Sequence, residues 1–147
     1  MNIDKNRTIV KKIENKTNWY IVDATEYTLG RLSSRIAYVL KNKNSIHYVP
    51  YHAVNIKIII INSKKIKVTG NKEKQKTYKR HSGRPGGLKI EIFEKLQQRI
   101  PNRILEHAIK GMLPKNSLGR KLFKNVKIYG DDTHPYNNQK LTKLNID

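Results

Sequence analysis

Residues 69–89 hold the side chains with the clearest chemical potential in this chain: Thr-Gly-Asn-Lys-Glu-Lys-Gln-Lys-Thr-Tyr-Lys-Arg-His-Ser-Gly-Arg-Pro-Gly-Gly-Leu-Lys. Lysines and arginines crowd the stretch, Glu73 is its only acid, and Tyr78 and a glycine-proline cluster interleave the charges. It has little apolar surface to bury. It can hold positive charge against a polyanion, and its glycines let backbone N–H groups approach phosphate closely. Lys72, Lys74 and Lys76 alternate, so an extended backbone places them on one side. Tyr78, Lys79, Arg80, His81 and Arg84 follow. Arginine forks phosphate oxygens, lysine supplies a point charge, and tyrosine or histidine stacks on an unpaired base. The segment reads as a nucleic-acid-binding element rather than a solvated charge run.

Other chemistries find little support. Gly83 to Gly87 lack the Gly-Lys-Ser/Thr ending of a P-loop and the spacing of a dinucleotide fingerprint. Gly86 and Gly87, ahead of a helix expected to start at Leu88, would place helix N-terminal amides on a phosphate or simply form a tight turn. His47 and His52 are five apart in a loop without a nearby carboxylate, which is no metal-ligand spacing. His107 reads as a surface or boundary residue. Paired carboxylates, a nucleophile elbow and a supported Ser/His/Asp order are all missing from the sequence, and cysteine is absent, so no thiolate site or cysteine nucleophile exists. We expect no enzyme, no cofactor, no metal and no small-molecule substrate.

Composition sharpens the partner class. Lys and Arg number 31 against 11 Asp and Glu, a formal net charge of +20 in 147 residues. Such self-repulsion in one domain calls for a neutralising partner. Nucleic acid comes first and an anionic membrane second. No apolar run approaches the roughly 20 residues that span a bilayer, and residues 1–18 lack the apolar block of a secretory signal.

The elements that must position these charges follow from periodicity. Residues 1–18 read as a polar basic arm. Trp19 to Asp23 form a short aromatic and β-branched strand. Leu29, Leu32, Ile36, Val39 and Leu40 recur at helical spacing behind Thr28, a plausible N-cap, with Arg31 and Arg35 on the other side. The run Ile56 to Ile61 lacks polar alternation, as expected of a strand covered on both faces of a parallel sheet. Ile66 to Val68 make another short strand or a turn. Leu88, Ile92, Phe93, Leu96 and Ile100 predict one helix, with Glu91 facing Lys95. Pro101 opens the next, whose buried face is Ile104, Leu105, Ala108, Ile109 and Met112. Asn116 or Ser117 caps a shorter helix with Arg120, Lys121 and Lys124 outward, and Val126 to Tyr129 read as the last strand. The expected organisation is a single α/β domain over 19–130, its mainly parallel sheet of about four strands sandwiched by helices, with an extended tail over 131–147. Arg31 with Arg35, Lys110, Lys115, and Arg120, Lys121 and Lys124 supplement the basic segment. Whether they converge is not encoded in periodicity.

The chain resembles the bacterial and organelle-type ribosomal protein L13 family over about residues 19–140. The matching blocks are Trp19 to Ala24, Thr28 to Leu32, Thr69 to Lys72, Tyr78 with His81, Gly83, Gly86 and Gly87, then Lys110 to Lys115 with Leu118, Gly119 and Arg120, and finally His134-Pro135. The resemblance implies a three-layer α/β/α fold, binding to large-subunit ribosomal RNA, contact with neighbouring large-subunit proteins and a role in early assembly. It marks Arg31, 72–84 and 110–120 as RNA-facing, with Gly30, Gly70, Gly111 and Gly119 serving turns or close backbone approach. One departure stands out. The family usually shows a His and an Asp-x-Gly-Asp turn after Pro50, whereas this chain has Tyr51-His52-Ala53-Val54-Asn55-Ile56, without acids. The Ile/Asn/Lys-rich composition, with no obvious presequence, suggests a plastid ribosome more than a bacterial cytoplasmic one.

Overall fold

The computed structural model describes residues 17–46 and 48–145. The expected arm over 1–18 lies outside them except for its last two residues, as does His47. Strand β1 (Asn18–Asp23) leads through a 3-10 turn (Ala24–Glu26) to helix α1 (Leu29–Leu40), then to β2 (Ile56–Ile61) and a second 3-10 turn (Ser63–Lys65). A helical turn α2 (Lys72–Gln75), strands β3 (Thr77–His81) and β4 (Leu88–Ile92), and helices α3 (Phe93–Arg99), α4 (Pro101–Met112) and α5 (Ser117–Lys124) follow. Strands β5 (Val126–Ile128) and β6 (Leu141–Lys143) complete the order.

Four strands form one parallel sheet in the order β5-β2-β1-β6. This is a mixed α/β fold consistent with a three-layer arrangement. Both crossovers β1-α1-β2 and β2-to-β5 step in one direction, so right-handed connections put α1 and α4 on the same face. There Val22, Ile58 and Ile60 meet Leu32, Ile36, Phe93, Ile104, Leu105 and Ile109 in one core. The return from β5 to β6 reverses direction and crosses the other face. Trp19 points there, opposite in alternation to Tyr20 and Val22, and its ring lies 4.9 Å from that of Tyr136, with Lys57 Nζ 4.6 Å from its centroid. The continuous Ile run is thereby explained: Ile58, Ile59 and Ile60 are all 0% exposed because β2 is central and covered on both sides.

Polar groups lock the element ends. Asp23 Oδ1 accepts from the Thr25 N–H at 2.9 Å and the Thr25 hydroxyl at 2.8 Å, and its Oδ2 accepts from Asn62 Nδ2 at 3.0 Å. The buried Ser63 hydroxyl donates to Asn102 Oδ1, and Asn102 Nδ2 donates to the Ile128 carbonyl at 3.2 Å, tying α4 to the sheet. Asn116 Oδ1 caps α5 through the Gly119 N–H at 2.9 Å. A Cβ on Gly119 would strike the Pro114 carbonyl, which is why that position admits only glycine.

Several expectations are corrected. Residues 88–100 are not one helix. Leu88 to Ile92 form β4, antiparallel to β3 in the register Tyr78↔Glu91 and Arg80↔Lys89. Leu88, Ile90 and Ile92 alternate with Lys89 and Glu91, a two-residue period that a hairpin partner can exploit, and helical spacing begins only at Phe93 and Leu96. The Glu91–Lys95 pair gives way to Arg99, whose Nη2 lies 2.6 and 2.7 Å from the Glu91 carboxylate oxygens. Gly86 and Gly87 therefore belong to a hairpin turn, not a helix start. Residues 72–76 are not extended: Lys76 N–H donates to the Lys72 carbonyl at 2.9 Å, closing a helical turn. Met112 is 44% exposed because it lies at the open end of α4. Ile66 to Val68 contribute only an isolated bridge, Lys67 with Thr28. The sheet also has a strand that periodicity did not indicate, β6, which pairs with Trp19 to Ile21.

Candidate nucleic-acid interface

The N-terminus of α1, the turn α2 and the C-terminal half of α4 enclose a cleft of roughly 680 Å³. Its cations are Arg31 from α1, Lys72 from α2 and Lys76 from the C-cap of α2. The helical turn accounts for the selection: Lys72 and Lys76, four apart, share a side, while Lys74 does not line the cleft. Hydroxyls of Thr28 and Thr69 line it, the Ser34 hydroxyl beside them donates to the Arg31 carbonyl at 2.9 Å, and none of the described residues in the wall is a carboxylate. Thr28 occupies the N-cap position of α1 without a side-chain cap bond, and the neighbouring Leu29 N–H donates to the Lys67 carbonyl at 2.9 Å. Gly30 lies in this wall in ordinary helical backbone with nothing within 4 Å of an added Cβ, so it serves neither a turn nor close packing in the free protein. Gly111 is likewise open, whereas Gly70 does sit in a turn at φ +65°.

The hairpin carries the second group. Its register puts Tyr78, Arg80, Lys89 and Glu91 on the face turned toward α3 and α4. Tyr78 is not fully exposed for stacking as expected, although part of it lines the cleft. It is half-buried, its ring 6.5 Å from Phe93 and edge-on to His107 at 5.4 Å, with Lys76 Nζ 5.7 Å above it. Burial raises its phenol pKa. The opposite face shows Lys79 and His81 beside Leu88 and Ile90, which are 53% and 54% exposed. At the tip Gly83 and Gly86 adopt φ +87° and +72°, His81 Nδ1 accepts from the Gly83 N–H at 2.9 Å, and Arg84 projects into solvent.

The remaining nominated cations disperse. Arg35 does not line the α1 cleft and sits over the Tyr38 ring at 5.4 Å. Lys121 joins His52 and Tyr51 in a separate cleft at the start of α5. Lys110, Lys115, Arg120 and Lys124 are exposed outside these clefts. Among the described residues, none of the nominated lysines and arginines forms an ion pair; the pairs present are Lys64–Asp131, Arg99–Glu91 and Lys143–Glu26. Sequence reading missed Lys89 and Arg103, which join Arg80 in the hairpin cleft. Lys89 sat within the basic segment, while nothing in the sequence distinguished Arg103 from a solvated helix face. No cluster of three or more metal-ligating His, Asp or Glu side chains occurs among the described residues, nor does any helix long and apolar enough to cross a membrane.

The sequence model of the family "Ribosomal protein L13" matches residues 17–135. This chain belongs to the ribosomal protein L13 family. Among curated relatives, "Large ribosomal subunit protein uL13" of Nostoc sp. (strain PCC 7120) is 57% identical over 129 residues, 88% of this chain and 85% of the relative. "Large ribosomal subunit protein uL13c" of Gracilaria tenuistipitata var. liui is 55% identical over 134 residues, 91% of this chain and 94% of that protein. The uL13 of Prochlorococcus marinus subsp. pastoris is 52% identical over 141 residues, covering 95% and 99%. The match spans α1, the hairpin and α4 alike, so the L13 family resemblance extends across both clefts.

Proposed function

We propose that this protein is a structural, non-catalytic constituent of the large ribosomal subunit that binds and organises large-subunit ribosomal RNA during early assembly, beside neighbouring large-subunit proteins. The observation that carries the reading is the convergence of Arg31 with Lys72 and Lys76, some forty residues further on in sequence, on one cleft with no carboxylate among its described lining residues. Cations with no ion-pair partner among the described residues are available to replace counterions on folded RNA, and the sheet fixes where they point. The work is electrostatic and geometric: RNA is recognised by backbone and shape more than by base edges. Arg31, Arg35, Lys72, Lys74, Lys76, Tyr78, Lys79, Arg80, His81, Arg84, Lys110, Lys115, Arg120, Lys121 and Lys124 are the proposed RNA-binding set. Within it, Arg31, Lys72, Lys76 and Arg80 form the centre, and Tyr78 acts by holding the hairpin. The cyanobacterial and uL13c relatives, with the Ile/Asn/Lys-rich composition, support a plastid ribosome.

Sedimentation tests this. The tagged protein should stay with the large particle through a moderate-salt wash, and crosslinks from residues 72–89 should map to large-subunit RNA. The triple variant Arg31→Gln, Lys72→Gln, Lys76→Gln should remain folded and leave the particle at lower salt. Recovery of the unaltered protein mainly in the light fractions would favour a free RNA-binding regulator instead.

A further inference from the structure

Between the inner face of the hairpin and helices α3 and α4 lies a second cleft of roughly 630 Å³. It differs in kind from the cleft at α1. Its walls include Tyr78, Leu96 and His107, which give it a partly apolar floor, and Arg80, Lys89 and Arg103 stand around that floor. These cations come from three different elements, β3, β4 and α4. One carboxylate, Glu91, lines the site, but Arg99 already grips both of its oxygens at 2.6 and 2.7 Å, leaving Arg80, Lys89, Arg103 and Lys79, which also lines the cleft, without an acidic partner among the described residues. The volume is that of a small-ligand site, not of a crevice between side chains.

A bare phosphate has no use for an apolar floor, and an apolar ligand has no use for a group of unpaired cations. A ligand with a flat unsaturated ring and a phosphate a few ångströms away uses both. We infer that this cleft takes a single unstacked nucleotide of an RNA chain, its base resting on the floor formed by Leu96, His107 and the Tyr78 edge, and its phosphate held by Arg80, Lys89 and Arg103. Arginine suits either task, since its planar guanidinium can fork a phosphate or lie along a base. The inference rests on the RNA-binding reading and deepens it: the α1 cleft meets backbone, while the hairpin cleft captures one base from a loop or bulge. A base extruded there would be recognised by stacking and so with little sequence preference.

The test uses the full-length protein and two 5′-phosphorylated trinucleotides, three uridines and the same chain with an abasic central residue. The base-bearing chain should bind about tenfold tighter than the abasic one, as expected from one stacked base. Its addition should move the ring resonances of His107 and Tyr78, a readout that needs no variant. Lys89→Gln and Arg103→Gln, both at exposed positions, should each weaken it by about fivefold to tenfold through loss of a charge-assisted contact, while Lys57→Gln, on the opposite face of the sheet, should leave it unchanged. Equal affinity for the two chains, unmoved ring resonances, or equal binding of a triglutamate peptide would each overturn the proposal. Retention of a structured large-subunit RNA fragment is measured alongside. If that fragment binds while the trinucleotides behave alike, the base pocket is wrong and the RNA-binding reading stands. If the fragment also fails to bind, both fall.

Discussion

At the scale of single residues, the side chains that hold the fold are separable from those that face a partner. Asp23 belongs to the first group. Partial burial pushes its carboxyl pKa up, but hydrogen bonds from the Thr25 backbone and hydroxyl and from Asn62, with the charge of Lys65 nearby, outweigh this and bring it below the ordinary 3.8. A carboxylate with a lowered folded-state pKa contributes stability that is present above the unfolded value and lost as pH falls through the folded one. Asp23→Asn would present an amide N–H toward one of these donors. The variant should be less stable than the parent near neutrality by about 0.5–1.5 kcal/mol, the net worth of a hydrogen bond. The gap should close as pH drops below about 4. Urea midpoints from pH 7 down to pH 3 would show it, and a gap that stays constant with pH would exclude the carboxylate as its source.

At the scale of elements, the hairpin is the unit to question, since it stands as a two-stranded sheet apart from the four-stranded one. Isolated hairpins are marginal in water, so its order depends on Tyr78 packing against Phe93 and on the positive-φ turn at Gly83 and Gly86. Replacing both glycines by alanine should cost about 1–2 kcal/mol at each position. Amide exchange within residues 77–92 should then accelerate by at least about tenfold, with β2 unchanged. Acceleration of β2 to the same extent would mean that the hairpin does not open on its own. This element was also the least legible in the sequence. Leu88, Ile92, Phe93 and Leu96 fit a helical stripe, and only Ile90, flanked by Lys89 and Glu91, betrays the two-residue period. The choice was made by the partner strand β3, whose Lys79 stands opposite Ile90. Strand β6 was hidden for the same reason: Leu141 to Lys143 become a strand only by pairing with β1, more than a hundred residues earlier. Helix α1 and strand β2 were plain because their patterns are local and uninterrupted. As for the interface, its charge was legible from counts, but the meeting of Arg31 with Lys72 and Lys76, and of Arg80 with Arg103, depends on the crossovers.

For the whole molecule, the question is whether a net charge of +20 acts as a diffuse cloud or through a directed face. The sheet separates two populations of cations. Arg31, Lys72 and Lys76 stand on the side that carries α1 and α4, whereas Lys57 and Lys127 alternate onto the opposite face, in register with Trp19 and Ile59. If about 8 phosphates are met, log affinity for a structured large-subunit RNA fragment should fall against log salt with a slope of roughly −7. Each glutamine at Arg31, Lys72 or Lys76 should make that slope shallower by about 0.9, so the triple variant approaches roughly −4 to −5. Lys57→Gln with Lys127→Gln removes comparable charge from the far face and should leave the slope nearly unchanged. Filter-binding titrations between low and physiological salt measure both. Equal flattening by the two sets would show that the charge acts by its total and not by its placement, and the sheet would then be a carrier of charge with no role in aiming it.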